Sequence, residues 1–174
     1  GADSVRKLKV MGFDVIGWSR RPKLIEGIET SDAAGLDAFL ARTDVLVGLL
    51  PLTDDTRGLY DRALFSKLRR TGPLGGPIFL NAGRGGSQKE AELIECLRDG
   101  TLKAASLDVF EKEPLSPESP FWSMPNVIVT RLVTSVTHPG LGRPLTGLET
   151  LPASLIISMV LTWAFIWISG WHRD

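Results

Sequence analysis

The run Val45-Leu46-Val47-Gly48-Leu49-Leu50, closed by Pro51, constrains this chain more than any other segment. Six apolar residues without interruption suit a strand buried on both faces of a sheet. Helical patterns stand on either side of it. Asp3 to Met11 carries Val5, Leu8 and Met11 at helical spacing, with Gly12 as the stop. Ser31 or Asp32 can cap a helix with Leu36, Phe39 and Leu40 on one face, ending before Asp44. Asp61 to Leu68 and Lys89 to Arg98 are helical again, the second closed by Gly100. Four further strands are expected, at Phe13–Trp18, Ile78–Leu80, Ala105–Val109 and Val127–Thr130. Strands alternating with helices imply right-handed crossovers, hence an α/β fold with a doubly wound, mainly parallel sheet.

Composition removes several function classes. Lys+Arg and Asp+Glu number 20 each, so no excess of cations is available for a nucleic-acid backbone. The single Cys96 leaves no disulfide framework and no cysteine-rich zinc site, and no metal is expected. Cys96 lies within a helix and reads as a small buried hydrophobe. His138, in a Thr-His-Pro-Gly turn, and His172, near the terminus, read as exposed. GADSVRKLKV has no apolar core after its basic residues and does not read as a signal peptide.

In such sheets ligands bind beyond the carboxyl ends of the strands. After Trp18 stand Ser19, Arg20 and Arg21, with no acid. An acid there would hold a ribose 2′-hydroxyl, whereas arginine accommodates a 2′-phosphate, so the segment favours NADP over NAD. A solvated basic turn is the other reading. After Leu80 comes Asn81-Ala82-Gly83-Arg84-Gly85-Gly86, where glycines permit close backbone approach and the guanidinium can grip a carboxylate. It reads equally as a flexible turn with one exposed arginine. Asp108 precedes Val109-Phe110-Glu111-Lys112-Glu113-Pro114, whose acids could bond a cofactor amide or orient a histidine, or serve as solvated caps.

Gly-Trp-Ser-Arg, Leu-Leu-Pro-Leu-Thr, Asn-Ala-Gly-Arg-Gly-Gly, Leu-Asp-Val-Phe-Glu-Lys-Glu-Pro-Leu and Ser-Pro-Phe-Trp follow one another in this order. Together they resemble the D-isomer-specific 2-hydroxyacid dehydrogenases over about residues 1–130. The glycine-rich segment from Gly72 to Pro77 is similar to the branch acting on glyoxylate and hydroxypyruvate. The resemblance implies a cytoplasmic, usually homodimeric oxidoreductase that reduces a small 2-keto acid with NADPH in preference to NADH. Gly1 would be the last glycine of the dinucleotide fingerprint, at the start of the helix facing the pyrophosphate. Ser19, Arg20 and Arg21 would hold the 2′-phosphate, while Leu50, Pro51 and Thr56 line the cofactor groove. Asn81 and Ala82 would lie beside the nicotinamide, and Asp108 would bond its carboxamide. Arg84 would bind the substrate carboxylate, and Glu113 would pair with a catalytic histidine, favouring its charged form.

The chain also departs from that pattern. The strand and earlier glycines of the fingerprint have no counterpart, so the sheet is expected to lack its first strand, and the family's substrate-binding domain is not matched. Where the family follows the last strand with Pro-His stand Arg131-Leu132, and His138 lies six residues beyond that place. The break divides residues 1–130, the cofactor domain, from an atypical tail, 131–174, and reads as a shifted frame or joining error in the gene. Leu151 to Trp171 carries no charge over 21 residues, long enough for a membrane-crossing helix, although the resembling family is soluble. The expectation is a chain that binds its cofactor and is poorly active alone, with a nucleotide-binding fragment or a membrane-anchored protein as alternatives.

Overall fold

A computed structural model of the chain describes residues 2–130. Gly1 and residues 131–174 lie outside the described part, and with them His138, His172 and the apolar segment 151–171. Helix α1 (Ala2–Val10) ends as its glycine requires: Gly12 takes a φ of 91°, and the Phe13 amide donates to Leu8 O at 3.1 Å. Strand β1 (Ile16–Trp18) follows, then β2 (Glu29–Ser31), a three-residue strand the apolar pattern does not announce. Asp32 caps a short 3₁₀ turn at Ala33–Gly35 through its carboxylate and the Ala34 amide, and α2 (Leu36–Ala41) continues from it. Next come β3 (Val45–Gly48), α3 (Arg62–Phe65), β4 (Ile78–Asn81), α4 (Glu90–Arg98), β5 (Ala104–Leu107) and β6 (Val127–Val129).

All strand pairs are parallel. β1 and β2 form one pair, and β3-β4-β5-β6 form a sheet in that order. In the doubly wound order 3-2-1-4-5-6, the first strand lies between those two groups. Among the described residues no strand takes that place, and the sheet divides there. Register aligns Gly48 with Asn81 and Asn81 with Leu107, with Val129 beside Leu107, so the strands end together at one edge.

The main core lies on one face. Phe79 of β4 is fully buried between Tyr60 and Phe65, with ring centroids at 4.9 and 5.0 Å. Leu40, Leu46, Leu93, Cys96, Leu97 and Leu107 join it, so Cys96 is the buried hydrophobe its position suggests. Burial pushes the Cys96 thiol pKa up. The opposite face is thinner, with Ile78, Leu80 and Ala104 packed against Val45, Val47 and Leu74. Here the expectation of a strand buried on both faces is corrected: Leu46 and Gly48 are buried but Val45 and Val47 only half so. Among the described residues, the cover on that second face is too small to bury them fully. No helix of the described residues is long and apolar enough to cross a membrane.

Candidate functional site

Three loops leave the aligned carboxyl edge of β3, β4 and β5, and the loop after β1 joins them through an ion pair, so that four strand-end loops touch in a row. The first follows β1. The Trp18 indole N–H donates to Asp32 O at 2.7 Å, and the Ser19 amide donates to Ser31 O at 3.1 Å, fixing the strand end. The Ser19 hydroxyl donates to Arg21 O at 2.6 Å and closes a turn that leaves Arg20 and Arg21 exposed. The Arg20 guanidinium is ion-paired with Asp55, which belongs to the second loop.

That second loop, after β3, is tied by Thr56. Its hydroxyl donates to Pro51 O at 2.7 Å and accepts from the Thr53 amide at 2.8 Å. The hydroxyl proposed for the groove lining is therefore committed to its own loop. Leu50 is half-buried and Pro51 exposed. The loop lies against the third one: a Cβ on Gly83 would stand 3.0 Å from Leu50 O, and Leu52 covers Gly86.

The third loop carries Asn81 to Gly86. Asn81 is 1% exposed and turned inward, where its Oδ1 accepts from the Gly83 amide at 3.0 Å. Its Nδ2 donates to Gln88 Oε1 at 2.9 Å, and Gln88 Nε2 donates in turn to Val109 O at 3.1 Å. Two buried amides thus join the ends of β4 and β5. Ala82 is half-buried, its amide donating to Gly48 O at 3.2 Å. Arg84 is exposed, with Nη1 donating to Gly83 O at 2.8 Å, and its guanidinium faces outward from a tightly held backbone. The Ser87 hydroxyl donates to Arg84 O at 2.5 Å.

The fourth loop, after β5, meets the third so closely that a Cβ on Gly85 would overlap the Phe110 carbonyl. Only glycine fits there without displacing backbone. The half-buried Asp108 accepts from the Thr130 hydroxyl at 3.3 Å, bringing the end of β6 to the same edge. Glu113 accepts from the Phe110 amide at 3.0 Å, so in this structure it caps its own turn. Glu90 and Glu111 hold the far side, each carboxylate accepting from the other's backbone amide at 2.7 and 2.6 Å. Burial pushes the Glu90 carboxyl pKa up, and the Glu111 charge adds to the rise.

Sequence reasoning singled out Ser19, Arg20, Arg84 and Asp108, and all four stand along this edge. It missed Gln88, whose partner Val109 is 21 residues away, and Asp55, whose partner Arg20 lies across two strands. No local pattern marks either residue.

A parallel α/β sheet with glycine-rich and basic loops at its carboxyl edge defines a dinucleotide-binding class of domain. Residues 1–132 match the family model described as D-isomer specific 2-hydroxyacid dehydrogenase, NAD binding domain, and the chain belongs to that family. A glyoxylate/hydroxypyruvate reductase A of Serratia proteamaculans is 38% identical over 140 residues, 80% of this chain and 43% of the relative. Its counterpart in Citrobacter koseri is 39% identical over 155 residues, 86% of this chain and 48% of the relative. The chain therefore spans about half the length of the curated relatives it matches, and those matches run past Thr130. Among solved structures, an apo NADPH-dependent glyoxylate/hydroxypyruvate reductase of Sinorhizobium meliloti superposes with a TM-score of 0.76 at 67% identity. That match covers 79% of this chain and 68% of the other. A second structure of that reductase, in complex with NADP and sulfate, gives 0.75 at 56% identity, over 98% and 49%.

Proposed function

We propose that this chain is the cofactor-binding part of an NADPH-dependent reductase of glyoxylate, hydroxypyruvate or a similar small 2-keto acid. One observation carries the reading: four strand-end loops form a continuous row with Arg20 at one end and Arg84 near the middle. The relatives described above support it: all are named as glyoxylate/hydroxypyruvate reductases, and the two solved structures as NADPH-dependent ones. The row suits the cofactor because Gly83 and Gly85 keep side chains out of the loop junctions, and exposed guanidiniums stand where β1 ends.

Bound NADPH supplies the hydride. Ser19, Arg20 and Arg21 hold the 2′-phosphate, the guanidiniums through charge-assisted hydrogen bonds. Gly1 and the start of α1 take the pyrophosphate. Leu50, Pro51 and the Thr56-closed turn wall the groove, and Asn81 with Ala82 shapes the backbone beside the nicotinamide. Asp108 bonds the carboxamide. Arg84 grips the substrate carboxylate with two parallel hydrogen bonds and draws charge from the adjoining carbonyl.

Reduction also needs a proton at the carbonyl oxygen. Arg131-Leu132 stand in place of the Pro-His that supplies it in the family pattern, so the histidine that would pair with Glu113 is not at its usual place. Loss of a general acid costs about 10²–10⁴-fold in rate. The chain therefore binds the cofactor and turns over slowly. That same replacement favours, as second reading, a nucleotide-binding module without turnover.

Fluorescence titration with NADPH and NADH tests the cofactor assignment. Arg20→Ala weakens NADPH by about tenfold more than NADH, the size of one good charge-assisted contact; equal losses contradict the 2′-phosphate role. Glyoxylate turnover by the chain stays below the usual enzyme range of about 1–10³ s⁻¹. A rate inside that range contradicts the loss of the acid.

A further inference from the structure

The ion pair between Arg20 and Asp55 joins the loop after β1 to the loop after β3. Each partner sits on a hydrogen-bonded turn. The Ser19 hydroxyl holds Arg21 O on one side. On the other, the Thr56 hydroxyl holds Pro51 O, while the Thr56 and Arg57 amides donate to Thr53 O at 3.1 and 2.9 Å. The carboxylate therefore meets the guanidinium across the mouth of the row from a fixed turn. Both side chains are more than half exposed, at 57% and 62%, so an incoming anion can reach the guanidinium and displace the carboxylate.

We infer that Asp55 is a specificity-determining residue: its carboxylate occupies Arg20 in place of a 2′-phosphate and thereby restrains the preference for 2′-phosphorylated nucleotides. This rests on the reading of Arg20 given above. A phosphate carries up to two charges and three acceptor oxygens, so it outcompetes one carboxylate for a guanidinium. Asp55 does not leave the neighbourhood when displaced. Its charge then faces the phosphate with the guanidinium between them, and each phosphate bound must replace an interaction already made. A nucleotide with a plain 2′-hydroxyl leaves the Arg20–Asp55 pair intact and meets no such competition.

The size of the effect follows from the pair's exposure. Surface ion pairs are worth about 0.2–1 kcal/mol, which converts to at most about fivefold in affinity. Salt screens it, because both charges lie in water.

Calorimetric titration of the full chain with adenosine 2′,5′-bisphosphate and with 5′-AMP, in low salt, decides the matter. Asp55→Asn tightens the bisphosphate about two- to fivefold and leaves 5′-AMP unchanged. In an Arg20→Ala background, Asp55→Asn brings no gain. Unchanged or weaker bisphosphate binding in Asp55→Asn, with Arg20→Ala still weakening it, overturns the Asp55 role and leaves the Arg20 reading standing. Equal tightening of both nucleotides also overturns it, since that is a general charge effect. If Arg20→Ala leaves bisphosphate binding unchanged, the 2′-phosphate assignment fails and the Asp55 role fails with it.

Discussion

Gln88 bridges the ends of β4 and β5, accepting from Asn81 and donating to Val109 O, 21 residues along the chain. Replacing it with leucine keeps the bulk and strands two polar partners at a buried junction. Each orphaned group costs about 1–3 kcal/mol, so Gln88→Leu lowers stability by about 2–6 kcal/mol. Urea unfolding reads this as a lower midpoint at unchanged slope, and a loss under about 0.5 kcal/mol would contradict the bridge. A charge elsewhere shows its effect through pH. The Thr101 hydroxyl, the Thr101 amide and then Arg62 hold the Asp99 carboxyl at about 2, below its ordinary 3.8. The folded chain therefore takes up this proton less readily than the unfolded one. The associated stability is present above about pH 4 and is lost as pH falls toward about 2. Asp99→Asn flattens the fall in thermal midpoint across that window, and a fall as steep as in the unaltered chain would contradict this. Ser19, Arg20 and Arg84 on this edge were legible because each stands beside a strand end in a recognisable local pattern. Gln88 and Asp55 were not, because their roles come from partners that only the fold brings near.

Element boundaries followed the same logic. Helices α1 and α4 were plain from their apolar spacing and their closing glycines, Gly12 and Gly100, both at positive φ. α3 is only four residues long, yet it starts where Asp61 stands, whose carboxylate accepts from the Leu64 amide at 2.9 Å. Asp61→Ala removes that cap and the contact with Lys89 at 3.3 Å, lowering stability by about 0.5–2 kcal/mol. Differential scanning calorimetry checks it, and an unchanged midpoint would mean the cap contributes nothing. Strand β2 escaped notice because Glu-Thr-Ser has no apolar member and pairs only with β1, at an edge where burial is partial. β3 proved two residues shorter than its apolar run. Leu49 and Leu50 belong to the loop instead, where Leu50 O sits against Gly83. Hydropathy marks a segment as covered, but it does not say whether strand or loop does the covering.

At the scale of the molecule, the parallel register matters most. It sets Gly48, Asn81, Leu107 and Val129 side by side, so the loops after β3, β4 and β5 start from one edge and gather chemistry-bearing residues from segments far apart in sequence. Gly85 locks the third loop onto the fourth. Gly85→Ala forces the Phe110 backbone aside and weakens NADPH along with stability, a paired loss that parallel binding and melting curves would show. A row of loops that forms one nucleotide site is protected as a unit when NADPH binds. Hydrogen exchange of the full chain, measured with and without saturating NADPH, tests it most directly. Protection is expected together in residues 19–21, 50–57, 81–86 and 108–110, with helix α4 unchanged. Protection confined to one of these loops, or found elsewhere in the chain, would contradict a shared site.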